Sequence, residues 1–262
     1  MSTLFDLTRK LSEKLQHTVE GTADSGTTTT LVDAERTEGE AAFLYGTLWL
    51  TSGDNSGVSR VVSAWTHGTD TMGFDALSAA VAAGVTYQAA GKDFPRWLLR
   101  RAVNQAVADL LLPQMDTSLT VTADTEAYAL PTGVRNICKV TVQVDDNAPY
   151  GWQLNQHWEE TDGYLRFDEG FEPSEAGRTI RLFYNAAESA LTADASALDD
   201  RLEDEVVLWK AAVHALRWKI QRHEGDADWY AQMLNEALAN EQVYLGRRRA
   251  KPMGKVPRLS GW

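Results

Sequence analysis

The chain has 262 residues, one cysteine, 25 Lys and Arg against 37 Asp and Glu, and a net charge of −12. That is enough for one large domain or two small ones with a real core, and the acidic balance argues against tight binding to DNA phosphate. No run reaches the roughly 18 apolar residues of a membrane span, the first twenty residues lack a signal peptide's apolar stretch, and lone Cys138 supports neither an intrachain disulfide nor a cysteine zinc site, so the expectation is a soluble protein made in the cytoplasm.

Leu4, Leu7, Leu11 and Leu15 fall on one face of a helix over 2–17, which Ser2 or Thr3 can cap. A helix this short is marginal alone, so its leucine face must pack on the chain's own core or on a neighbouring subunit. Residues 21–30 (GTADSGTTTT) are turn-rich. Strand signals follow at 43–51 (FLYGTLWLT), 58–65, 71–75 and 84–89, with turns at 52–57 (SGDNSG) and 67–70. Gly46, inside the first of these, marks a bulge or a close approach. The segment reads as a small all-β module.

Asp93 and Pro95 open a helix carrying Phe94, Leu98, Ala102, Ala106 and Leu110 on one face, and Pro113 stops it. Residues 118–186 return to β: a strand from 120, 127–130 before the turn at 131–133, the alternating 136–144 (NICKVTVQV), then 152–158, 164–167 and 179–184. Asp200-Arg201-Leu202-Glu203 resembles a capping box. Leu202, Val206, Trp209, Val213, Leu216 and Ile220 then make a sustained helical seam. Gly225 ends it, Asp226 caps a second helix, and the short connection predicts an antiparallel pair.

The last sixteen residues, RRRAKPMGKVPRLSGW, hold six cations and no acid, leaving 19 cations against 37 acids in residues 1–246, a net charge of −18. Two prolines and two glycines oppose a helix there. The segment reads either as a solvated terminus or as a docking peptide, cations steering and Trp262 anchoring. The expected fold class is α+β: a helical-bundle core (the middle helix plus the C-terminal antiparallel pair) with a β meander and an additional small all-β module. The expected divisions are an N-terminal amphipathic helix at 1–20, the all-β module at 21–91, the core at 92–246 and the basic tail at 247–262.

No catalytic signature emerges. His17, His67, His157, His214 and His223 lack metal-ligand spacing, and Cys138 sits in an alternating strand as a structural thiol. There is no phosphate-binding glycine loop and no nucleophile elbow. The carboxylate runs, such as Glu159-Glu160 and Glu203-Asp204-Glu205, suit turns, caps and solvated first turns. Trp49, Trp65, Trp152 and Trp158 fill a core or present aromatics to a glycan or protein. Arg96, Arg100 and Arg101 form a phosphate stripe or pair with acids of this chain or the next subunit. The reading contains no catalytic residue, no metal site and no cofactor.

Residues 93–112 and 127–248 resemble tailed-bacteriophage head–tail adaptor proteins, also called connector or head-completion proteins. The resemblance is carried by the helix, the YALPTGV entry at 128–134 into the meander, IRLFY at 180–184, the LTAD linker at 191–194, two helices rich in Trp, Ala and Tyr, and a basic C-terminal extension. Residues 21–33 and 47–57 are also similar to a β module of phage virion proteins. The inserted module at 22–90 departs from the smallest adaptors, which are mainly helical.

The resemblance implies a structural virion protein at the head–tail neck, not an enzyme. It implies a homo-oligomeric ring, commonly of about twelve copies, that binds the portal and a tail or second neck protein. DNA would pass through without specific binding, and no membrane is involved. In such adaptors the C-terminal extension often reaches up to the portal, which makes Arg247, Arg248, Arg249, Lys251, Lys255, Arg258, Leu259 and Trp262 the expected docking residues. Leu4, Leu7, Leu11 and Leu15 would bury their face locally or on a ring neighbour. The alternative is a glycan- or host-binding β module of a tail or fibre component, resting on Trp49 and Trp65. An enzyme using dispersed carboxylates comes last.

Overall fold

The computed structural model describes residues 1–39, 41–123, 125–144, 151–222 and 226–250, without the side chains of 247–250. The chain divides into two compact units, Met1–Ala108 with Ser189–Trp262 and Asp109–Glu188.

The first unit opens with α1 (Leu4–Leu15). Thr3 and Asp6 form a reciprocal capping box: the Asp6 N–H donates to Thr3 Oγ1 at 3.2 Å, and the Thr3 N–H donates to Asp6 Oδ2 at 3.0 Å. Leu4, Leu7, Leu11 and Leu15 are all buried, so the chain itself covers the leucine face.

Seven strands follow: β1 (Thr18–Thr22), β2 (Ser25–Gly26), β3 (Thr30–Val32), β4 (Thr47–Leu50), β5 (Val58–Thr66), β6 (Thr71–Phe74) and β7 (Thr86–Ala90). They form one antiparallel sheet in the order β1-β7-β4-β5-β6-β3-β2. One face packs a cluster that includes Leu31, Leu48, Leu50, Val62, Met72, Phe74 and Tyr87. The other meets α1, where Trp49 is fully buried and its Nε1–H donates to Thr8 Oγ1 at 3.3 Å. Covering on both faces explains why all four residues of β4 are buried. Gly46 is a close approach, because a Cβ there would collide with the Ala90 carbonyl oxygen.

Three longer helices complete the unit: α2 (Arg96–Asp109), α3 (Asp204–Gln221) and α4 (Ala227–Ala250). Helix α3 packs on α4 and α1. Lys10 pairs with Asp204 at 2.8 Å, Lys14 with Glu205 at 3.1 Å, and Lys210 with Glu241 at 3.2 Å. The capping box expected at Asp200 does not form. Glu203 takes the N-cap position without a side-chain capping hydrogen bond to the helix, Asp199 is held by Arg201, and Asp204 is engaged by Ser2 and Lys10. The hydrogen bonds from Arg201 hold the Asp199 carboxyl well below the usual range. Asp226 does cap α4, accepting the Asp228 and Trp229 N–H groups at 3.1 Å each. Gly225 lies outside the described residues.

The second unit holds β8 (Leu111–Thr120), β9 (Ala127–Ala129), β10 (Ile137–Gln143), β11 (Trp152–Asn155), β12 (Trp158–Thr161), β13 (Tyr164–Phe167) and β14 (Thr179–Ala187). These make a four-stranded sheet, β11-β10-β14-β8, and a three-stranded sheet, β12-β13-β9. Their shared core includes Tyr128, Val140, Leu165, Phe167, Ile180 and Leu182. Asp162-Gly163, both at positive φ, form the two-residue loop between β12 and β13.

The fold class expected from sequence is overturned. The protein is mostly β, with 32% of it in strands, and it has no helical-bundle core. The seam of α3 does pack helix on helix, against α4 and α1, but periodicity reports only that a face is covered, not how the rest of the fold is built. Several strands escaped that reading. β1 (TVEGT) is too polar and glycine-containing to alternate visibly, and β8 contains Pro113. Proline is tolerated there because β8 is a sheet edge that, among the described residues, pairs only with β14.

Candidate functional site

Two features of the first unit organise its polar chemistry. The first is Asp194, in the segment leading to α3, with its side chain 14% exposed. Its Oδ2 accepts the backbone N–H and the hydroxyl of Ser59 on β5, each at 2.8 Å. Arg100 donates to Oδ1 at 2.8 Å and Arg96 at 3.2 Å, both from α2. Arg96 Nε also donates to Ser59 Oγ at 2.6 Å. One carboxylate therefore ties a strand, a helix and a connecting segment together. Burial and the neighbouring Arg96 charge lower the Arg100 pKa, opposed by Asp194. Arg96 and Arg100 are thus ion-pair partners inside the chain, while Arg101 is exposed.

The second is an aromatic array running from α2 to the start of α4. Trp97, 50% exposed, meets Trp218 edge-on at 5.0 Å, and the Arg222 guanidinium lies 4.8 Å from the Trp218 ring centroid. Lys219 Nζ lies 5.6 Å from the Phe94 ring centroid, and Phe94 contacts Tyr230 edge-on at 5.9 Å. Tyr230 touches Trp229, which is 45% exposed. Sequence reading missed this array. Its signal was available: Trp97 lies off the face of α2 that carries Phe94, Leu98 and Ala102.

Arg247, Arg248 and Arg249 fall in the last turns of α4, which continues to Ala250. The helix therefore runs past the boundary expected at 247. Lys251, Lys255, Arg258, Leu259 and Trp262 lie outside the described residues, as does His223.

Of the tryptophans considered for glycan binding, Trp49 is core. Trp65 packs edge-on against Phe43 at 5.0 Å and donates to the Gly39 carbonyl at 3.1 Å. Trp158 donates to the Asn155 carbonyl at 3.1 Å, and Trp152 lies beneath the Arg181 guanidinium at 3.6 Å. Cys138 is exposed on β10, and its thiol donates to the Phe183 carbonyl. Among the described residues, no group of three or more His, Cys, Asp or Glu is placed to hold a metal ion, and no helix is long and apolar enough to cross a membrane.

The family model described as SU10 adaptor protein matches residues 72–256, and the chain belongs to that phage adaptor family. The match takes in β6 but for its first residue, β7, all of the second unit and α2 to α4, and leaves residues 1–71 outside it. No curated protein matches the chain. Adaptor membership supports a structural role in the virion and interaction with other head or tail proteins.

Proposed function

We propose that the chain is a structural neck protein of a tailed phage that assembles as a ring, joins the portal to the tail and lines the DNA channel. The family match over 72–256 carries this reading. Charge supports it: a body of net −18 over residues 1–246 repels DNA and lets it slide. The basic segment 247–262 docks on the portal, cations steering and Leu259 and Trp262 anchoring. The glycan-binding alternative loses its basis with Trp49 in the core and the Trp65 indole engaged by Phe43 and Gly39.

Truncation tests the docking role. Ending the chain after Ala250 removes Lys251–Trp262 and keeps α4 whole, and ending it after Gly246 also removes the three arginines. Both truncated chains should fold with unchanged thermal unfolding, and the shorter should no longer cosediment with portal rings. Undiminished cosedimentation of the shorter chain would refute the docking role.

A further inference from the structure

We propose that a second copy of this chain docks on a cationic tryptophan patch formed by Trp97 and Arg101 of α2 with Trp218 and Arg222 of α3. That copy meets the patch through the acidic surface of its own residues 109–188. The inference rests on the ring reading above and names the contact that would build the ring.

The patch has the composition of an interface anchor. Tryptophan and arginine dominate the residues that carry binding energy in protein interfaces. Trp97 is half exposed and rests on Trp218, which carries Arg222 against its ring. Arg101 stands one helical turn beyond Trp97, on the same side of α2, and is exposed. Neither Arg101 nor Arg222 forms an ion pair among the described residues. In a chain with 37 acids and 25 cations, exposed arginines left unpaired beside tryptophans point to a carboxylate supplied from outside.

Charge selects the occupant. The chain's own C-terminal segment is basic and would be repelled. DNA has the right sign, but to reach two arginines it must approach a body of net −18. A second copy brings the required acids. Residues 109–188 contain 14 Asp and Glu against 5 Lys and Arg, a net charge of −9. Glu126, Glu159, Asp162 and Glu169 are exposed in that unit. A contact between two different surfaces allows head-to-tail association, the kind that propagates and closes into a ring.

A photo-crosslinking amino acid in place of Trp97, in the full chain, tests this. Isotope-labelled and unlabelled copies are mixed, alone and on portal rings, so that links between copies are separated from links within one. The expected result is a link between copies that maps to residues 109–188. Arg101→Glu with Arg222→Glu should weaken self-association about tenfold or more. Adding Glu159→Lys and Glu169→Lys to the same chain should restore it. Links to the portal, to DNA or to the chain's own tail, or no link between copies in either setting, would overturn the inference. If portal binding persists with links elsewhere, the contact is wrong and the adaptor reading stands. If links map as expected without portal binding, the reverse holds.

Discussion

Asp194→Ala should destabilise the first unit by about 3–5 kcal/mol. The Asp194 side chain is 14% exposed and those of Arg96 and Arg100 are 25% and 19% exposed, so water replaces the lost contacts only in part. Removing the carboxylate strands the Ser59 N–H, which alone costs about 1–3 kcal/mol. It also leaves two arginines facing each other without the charge that opposes their repulsion, and breaking a largely buried pair in this way costs about 3–5 kcal/mol in all. For a unit of this size, about 2–4 °C is lost per kcal/mol, so the unfolding midpoint should fall by about 10 °C. Asp194→Asn keeps an acceptor for Ser59 but not the charge, and should lose about half as much. Calorimetry together with urea unfolding reads both variants. An Asp194→Ala protein within about 1 kcal/mol of the parent would refute the claim that this carboxylate holds β5, α2 and the segment before α3 together.

Three further outcomes follow from the structure. Thr3→Ala removes half of the α1 capping box and should cost about 1 kcal/mol in urea unfolding. Gly46→Ala drives a methyl into the Ala90 carbonyl and should lower stability by more than about 3 kcal/mol, seen as loss of soluble protein or of its thermal transition. Burial and the hydrogen bond to Asp33 raise the Tyr87 pKa far above its ordinary value, so the stability it contributes is complete below pH of about 10 and is lost as pH rises further. Tyr87→Phe should therefore flatten the alkaline limb of the stability profile, and an unchanged alkaline slope would count against the assignment.

Local signals were legible where a residue's own chemistry decides the structure. Thr3 caps a leucine helix, Asp226 caps α4, and β13 spans the four residues expected for it after the turn at Gly163, Tyr164–Phe167. What failed depends on partners distant in the chain. β1 exists because its backbone pairs with β7, not because TVEGT favours a strand. Trp49 is buried because α1 closes over its face of the sheet, which no periodicity in β4 reports. Pro113 broke the helical pattern as expected, yet an edge strand absorbs it. The prolines at 252 and 257 weighed against helix across the whole tail, but Arg247–Ala250 contains no breaker and α4 runs on through it. The aromatic patch was missed because Trp97 sits where α2 is otherwise polar, and only Trp218 from another helix makes it a surface.

Mass photometry of the purified chain, alone and mixed with portal rings of the same phage, tests the adaptor reading most directly. A step in portal mass equal to a whole-number ring of chains, lost when the chain is ended after Gly246, is the predicted result. A folded chain that leaves the portal mass unchanged at every concentration tried would contradict it.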